Sequence, residues 1–491
     1  MAKKSKASGV EKIYRFTIRL LSSNGFFYGV IAITIIQALW YAFSFQPTIL
    51  DEGEHVGFIA AYAHQLSPFI THQSPMYDYL GEITRSPSYL FYYLMSLPWH
   101  LVSFFTQSIY AHIIFLRLIC VAMFTGGIIY YRKLLLAVGA TKAIASMVLL
   151  FVVLTPTFSV LGGAVNYDNA VFLLAPVLLL LALAEIRSKE VNVTRLALIV
   201  SICLLGSLIK FEYLAFSIPL IIYLLIDISM KHRSRLLPGI KKSFVGLSIW
   251  AKVGVIVLLV ISAGLFIERP VYNEYKYHAV DPTCTSLISK DRCMKNYTAA
   301  RTIKAIDSKP AAFSPVGPFD YTLAQWIPGM VVTQTILLPG HQPPFKLLRQ
   351  LYYLGAIGGG ILVLVYLRDF LKNKAWRMLL ITTAGYAFIL AVYNYSAYLR
   401  LGIPVAITGR YLLPVLPIFI FFVALSILKL FRYSKPAILI FLAFSILIFT
   451  QGGGMITYVL AQNSSYYWPG SFIYNLNTTL REIADPVVKQ G

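Results

Sequence analysis

The chain has 491 residues, of which 58% are hydrophobic and only 13% charged, with a formal net charge of +22. Such a composition excludes a soluble globular protein, and repeated apolar runs of about 18 residues or more mark membrane-spanning helices. The Lys and Arg excess falls in short clusters between those runs, as in cytoplasmic loops; this argues for a lipid bilayer as partner and against nucleic acid.

Residues 1–23 form a basic segment carrying Lys3, Lys4, Lys6, Lys12, Arg15 and Arg19. The first apolar run, Phe26 to Phe43, is too long for a signal-peptide core and no small-residue cleavage site follows it. It is expected to stay as a signal anchor with the N-terminus inside.

Directly after it come Asp51, Glu52, Gly53, Glu54 and His55, three carboxylates and an imidazole where an emerging chain first meets water. The whole sequence has only 20 Asp plus Glu, so acids gathered here point to chemistry rather than surface solvation. The first external loop is read over 45–109. Two stretches within it, Glu54 to Leu66 and Ser88 to Phe105, read as helices lying on the membrane surface. A full crossing by the second would force Arg132 and Lys133, at the end of the next run, to the outside.

Further spans are predicted at Tyr110–Tyr131, Ala143–Leu161, Ala170–Glu185, Leu196–Ile209 and Tyr213–Met230, completing a transmembrane module over 24–230. Arg117 lies about two helical turns inside the second span. A charge at that depth is costly unless paired or hydrated, so it is either a functional group or half of a salt bridge to an external carboxylate. Asp168, just before the fourth span, is either a functional acid or a plain helix cap. Lys210 falls on the same side as Asp51.

The loop 231–246, with Lys231, Arg233, Arg235, Lys241 and Lys242, is basic and read as cytoplasmic. The second module, 247–491, opens with a span at Leu247–Phe266 and continues into an external loop over 267–350. Spans at Tyr352–Leu367, Met378–Tyr393, Leu412–Leu428 and Pro436–Thr450 follow, then an external tail with Tyr466, Tyr467 and Trp468. The total is about eleven spans. Loops as long as 267–350, which also holds the segment Thr335 to Pro344, are functional or disordered; aromatic and apolar content including Tyr321, Trp326 and Ile327 favours an ordered cap. Cys120 and Cys203 lie in apolar runs, whereas Cys284 and Cys293 share the external loop and suit a local disulfide.

All groups of chemical interest thus gather on the external side: Asp51, Glu52, Glu54, His55, Asp168, Arg85, Arg117, Lys210, Arg400 and Arg410. Acids beside cations at a lipid boundary suit a substrate with an anionic leaving group, such as a lipid-linked phosphosugar. A carboxylate can deprotonate an acceptor hydroxyl while Arg and Lys stabilise the departing phosphate. An inverting transfer needs only one such base.

On these residues the sequence resembles the GT-C superfamily of integral membrane glycosyltransferases. Asp51-Glu52 after the first span looks like the acidic motif of protein O-mannosyltransferases and of the aminoarabinose transferase of lipid A. The run from Arg85 to Tyr93 is similar to the His-Pro-Pro-Leu-Tyr segment that opens their second interfacial helix, with the His and first Pro replaced. The Asp-Glu-x-x-His spacing, with Gly409 to Pro414 before a late span, is similar to a little-characterised bacterial GT-C family. The likeness runs through the first 230 residues in order and spacing and returns around Arg410.

The resemblance implies an all-α, polytopic, GT-C-like fold in the plasma membrane, and an enzyme working on the external face. Its donor would be a polyprenyl-phosphate sugar, and its acceptor a glycan, a lipid or a protein. Asp51 is then the general base within an acidic motif shared with Glu52. Asp168 positions the acceptor or helps hold a metal, and Lys210 and Arg410 take the donor phosphate with Arg85, Arg117 and Arg400 as further candidates. Arg117 pairs with Asp51 or Glu52. Glu52 and His55 either hold a divalent ion, the only cofactor in prospect, or His55 is simply a hydrogen-bonding partner. The competing class is a transporter or lipid flippase, which predicts charged or broken helices near the midplane and an internal repeat.

Overall fold

The computed structural model describes residues 9–48, 50–232, 236–310, 313–334, 346–451, 466–469, 472, 474–476, 478, 479 and 482. Among them the regular structure is helical throughout, apart from an isolated antiparallel bridge between Phe45 and Tyr467. Among the described residues six helices are long and apolar enough to cross a membrane, and a bent pair makes up to seven. The chain is a multi-pass membrane protein.

Helix α1 (Gly9–Ser22) is followed by α2 (Asn24–Ser44), whose start is capped by the Ser23 hydroxyl accepting from the Phe26 N–H. The two stretches expected to lie on the membrane surface are helical, as α3 (Glu52–Gln65) and α4 (Leu90–Ser103), packed on each other. Each has 14 residues, a length of about 21 Å, too short for a hydrocarbon core of about 30 Å.

The bundle is built around α5 (Ile109–Ala137), which packs on α2 and most closely on α8 (Asp168–Arg187). Gly127 permits that approach, since a Cβ there would lie 2.4 Å from the Phe172 ring. Between them, the run expected as one span from Ala143 to Leu161 is broken. It forms α6 (Lys142–Leu154) and α7 (Pro156–Gly163), bent by 77° at Thr155. Pro156 has no N–H to donate and suits the first position of a new helix, not the interior of an old one. The Thr157 hydroxyl secures the break by donating to the carbonyls of Thr333 (2.9 Å) and Gln334 (2.8 Å).

Helices α9 (Val193–Ile209), α10 (Tyr213–His232), the short α11 (Leu236–Val245) and α12 (Ile249–Phe266) follow. The expected end of the seventh span at Phe266 is overrun: a π-helical turn over Ile267–Val271 carries α12 into α13 (Tyr272–Tyr277), making one rod of 29 residues. The change of winding coincides with Pro270, which cannot donate the usual bond.

The remainder of the predicted loop is ordered into α14 (Cys284–Leu287), α15 (Lys290–Cys293), α16 (Tyr297–Asp307), α17 (Pro318–Tyr321) and α18 (Ile327–Val332). Positions 335–345, including the Thr335 to Pro344 segment, lie outside the described residues. This cap is tied to the first loop by Asp78, whose buried carboxylate receives Arg292 at 2.6 and 2.9 Å and Lys295 at 3.0 Å. The chain then runs through α19 (Lys346–Val365), α20 (Leu367–Leu371), α21 (Lys374–Leu401), α22 (Leu416–Leu430) and α23 (Lys435–Gln451).

Basic residues collect at the bundle end where α5 and α10 finish. There Arg132 donates to Asn24, Arg187 to the Ala137 carbonyl, and Lys374 pairs with Asp227. The opposite end holds the acidic motif.

Cys284 and Cys293 are disulfide-bonded, while Cys120 and Cys203 are buried free thiols. Maleimide labelling of the folded protein is therefore expected to start only after mild reduction, and then to modify the Cys284 and Cys293 thiols alone. Labelling of either before reduction would refute the bridge.

Candidate active site at the junction of α2 and α3

The junction is a strained turn. Leu50 and Asp51 both have positive φ, 59° and 61°, a region that costs a non-glycine residue roughly 1–2 kcal/mol. The turn is held from two sides, because the Leu50 carbonyl accepts from Arg410 Nη1 at 2.9 Å and from Asn166 Nδ2 at 3.2 Å. Its effect is to send the two neighbouring acids in different directions: the Asp51 side chain is 59% exposed and the Glu52 side chain 0% exposed.

Glu52 enters the bundle and meets Arg117. The pair is bidentate, with Arg117 Nε to Oε1 at 2.7 Å and Nη2 to Oε2 at 2.6 Å. Glu52 also accepts the Val165 N–H at 2.7 Å and the Tyr41 hydroxyl at 3.2 Å. Arg117 Nη1 donates to the carbonyls of Ala42 and Phe45, both at 2.6 Å, at the end of α2. Those carbonyls have no intrahelical donor and carry the negative end of the helix dipole, so a cation satisfies them doubly. Arg117 thus pairs with Glu52, not Asp51, and both are structural. Glu52 has no oxygen left to act as a base or to bind a metal, so its expected catalytic and ligand roles do not hold.

The Asp51 carboxylate instead meets Arg410 Nη2 at 2.5 Å. Desolvation by the surrounding chain acts to raise its pKa although the side chain still reaches solvent, but the Arg410 charge and hydrogen bond outweigh it and hold the carboxyl below its ordinary range. Arg410 also approaches Asp168, with Nε 3.9 Å from Oδ2, beyond hydrogen-bond length. The other oxygen of Asp168 is paired with Lys210, whose ammonium lies 4.2 Å from the Tyr411 ring centre and 4.9 Å from that of Tyr167. Four residues predicted from distant segments therefore form one alternating row, Asp51, Arg410, Asp168, Lys210. Asp168 Oδ2 and Arg410 Nε are buried and have no hydrogen-bond partner among the described residues. Each retains capacity for one more bond, acceptor and donor side by side.

His55 sits behind this row. Asn166 Oδ1 accepts the Asp168 N–H at 2.9 Å, which turns Nδ2 toward His55 Nε2 at 3.0 Å. Nε2 is then the acceptor, and Nδ1 carries the proton toward the Tyr92 hydroxyl at 2.8 Å. Burial first, and then the charge of Arg410, push the imidazole pKa down to about 4. The folded protein leaves His55 neutral at pH values where an unfolded chain, with an ordinary value near 6.5, would protonate it. Acid therefore favours unfolding between those values, and the contribution should fall by about 2 kcal/mol from pH 7 to pH 5. Thermal unfolding at the two pH values tests this: His55→Gln should flatten the difference, and an unchanged difference would remove His55 as its source.

Both ring nitrogens of His55 are engaged, as are both oxygens of Glu52, so the divalent-ion pair expected from the sequence does not form. Among the described residues no group of three or more His, Cys, Asp and Glu side chains is placed to hold a metal. Three expected phosphate ligands also lie elsewhere, Arg117 being engaged by Glu52 and the α2 carbonyls. Arg85 donates to Asn273 Oδ1, to the Glu268 carboxylate and to the Glu268 carbonyl, each at 2.8 Å, and braces α12–α13. Arg400, at the exposed end of α21, makes no ion pair with the row, although its charge is felt at Asp281.

Three residues that sequence reasoning did not assign to the site stand out, Asn166, Asp281 and Asn296. Asn166 orients His55 and Asp168 together; its only signal was its place two residues before Asp168. Asp281 retains contact with solvent but is crowded by the surrounding chain, and that crowding, then Glu212 and Glu82, lift its carboxyl to about 6. Glu54 is likewise raised, by burial and then by the charge of Asp51. The third is Asn296, first of the run Asn296-Tyr297-Thr298 that matches the acceptor pattern for N-glycosylation: it is buried and donates to the Tyr79 carbonyl at 2.8 Å, which leaves no room for a glycan. Compared with protein-family models and with curated proteins, the chain matches none.

Proposed function

We propose that the protein is a GT-C-type glycosyltransferase that moves a sugar from a polyprenyl-phosphate donor to a glycan, lipid or protein acceptor. The observation that carries this reading is the row of Asp51, Arg410, Asp168 and Lys210, with a buried acceptor and donor at its centre, 3.9 Å apart and, among the described residues, without a hydrogen bond. In this reading about eleven helices cross the membrane. The basic end of the bundle faces the cytoplasm by the positive-inside rule, which puts the row on the external face of the plasma membrane.

Arg410 Nε and the Lys210 ammonium take the donor phosphate. Once Arg410 turns to that anion it relaxes its hold on Asp51, whose carboxylate becomes a stronger base. Asp51 removes the acceptor hydroxyl proton, the acceptor oxygen bonds the anomeric carbon, and the glycosidic C–O bond breaks with its electron pair passing to the phosphate. Asp168 Oδ2 accepts from a sugar or acceptor hydroxyl and orients it. The product configuration is inverted, as a single displacement requires.

The competing transporter reading draws on the 77° break between α6 and α7, the kind of interrupted helix that lines solute paths. Reconstituted protein offered a panel of radiolabelled polyprenyl-phosphate sugars separates the two. Turnover of one donor supports the transferase, whereas solute or lipid movement with no donor consumed supports the transporter.

A further inference from the structure

The cap carries a second concave site that the row does not use. A cleft of about 420 Å³ lies between α16 and the end of α21, lined on the helix side by Arg301, Lys304 and Ser308 and on the other by Leu401 and Ile403. Arg301, Lys304 and Ser308 are spaced i, i+3 and i+7, so they share one face of α16. Both cations are exposed, and among the described residues neither forms an ion pair; no Asp or Glu lines the cleft. Lys309 is differently employed: its ammonium donates to the Leu399 carbonyl at 2.5 Å and closes the end of α21. The cleft therefore offers two unneutralised positive charges beside an apolar wall, where α21 ends. The charge of Arg301 also reaches Asp51 and Glu54.

We propose that this cleft binds the phosphate head of an amphiphile, with Arg301 and Lys304 on the phosphate and Leu401 and Ile403 against the first carbons of its chain. Resting on the transferase reading, this makes the acceptor a phosphate-bearing lipid or lipid-linked glycan that enters between α16 and α21. A guanidinium and an ammonium at helical spacing can share one phosphate, each through charge-assisted hydrogen bonds.

The experiment measures binding of dodecyl phosphate to the full chain in a neutral detergent, with inorganic phosphate as the competing arm. Binding should weaken by about tenfold or more in Arg301→Gln/Lys304→Gln, two charge-assisted contacts being lost, and persist in Arg301→Lys/Lys304→Arg. Both side chains are solvent-exposed, and an unchanged unfolding temperature certifies the fold. Equal binding by wild type and the double Gln variant would overturn the assignment. Inorganic phosphate displacing dodecyl phosphate at equal concentration would overturn the amphiphile and leave a soluble phosphate as the ligand. Because binding is read without transfer, failure here leaves the transferase reading standing, and absence of transfer leaves the cleft standing.

Discussion

Asp51→Asn is expected to fold normally and to lose turnover by about 10²–10⁴-fold, the usual contribution of a general base. The substitution is unusually clean. Asn tolerates the left-handed conformation at this position (φ 61°) at least as well as Asp, and the side chain is 59% exposed, so neither strain nor a cavity follows. The Asn side-chain oxygen can still accept from Arg410 but cannot take a proton. Turnover should fall with little change in donor KM, since the phosphate contacts belong to Arg410 and Lys210. Arg410→Gln should do the opposite first, raising donor KM, and then also slow the reaction because Leu50 and Asp51 lose their brace. If Asp51→Asn retains wild-type turnover, the base lies elsewhere in the row, with Asp168 the next candidate.

The second large effect falls on folding. Arg117→Leu leaves the Glu52 carboxylate buried without a counter-charge and the Ala42 and Phe45 carbonyls without their shared donor, a loss of about 3–5 kcal/mol for the broken pair. The variant should accumulate poorly and unfold at markedly lower temperature. Glu52→Gln should be milder, because an amide can still accept from Arg117 and from Val165. The double change Glu52→Leu/Arg117→Leu should recover much of the stability lost in Arg117→Leu alone, since two apolar groups leave no orphaned charge. Full stability in Arg117→Leu would contradict the structural role given to the pair.

The apolar runs were legible because a membrane allows so few ways of satisfying backbone groups; every predicted run coincides with a helix or with the bent pair. Their interruptions were less so. Pro156 breaks its run whereas Pro98, Pro176 and Pro219 are accommodated inside α4, α8 and α10; the difference lies in partners such as Thr333 and Gln334, more than 170 positions away from Thr157. The acidic motif was legible as a place, not as a division of labour. Nothing in the order Asp51-Glu52 says that one points out and the other in, because a turn at positive φ decides it and that turn is held by Arg410 and Asn166. Arg85 was misread for a related reason: a cation near a motif looks like a ligand until its own carboxylate, here Glu268, comes into view from a distant helix.

The Glu52–Arg117 pair also has an order in time. Glu52 precedes Arg117 by 65 positions and leaves the ribosome first. A helix bearing an unpaired Arg two turns from its end enters the bilayer at a cost of up to about 2.5–3.5 kcal/mol, so α5 is a poor candidate for independent insertion. By the time its Arg arrives, α2 and the start of α3 have already been made, and they present a carboxylate and two bare carbonyls. The end of α2 and the start of α3 thereby act as a template for integrating α5, and biogenesis of the bundle hangs on that handover.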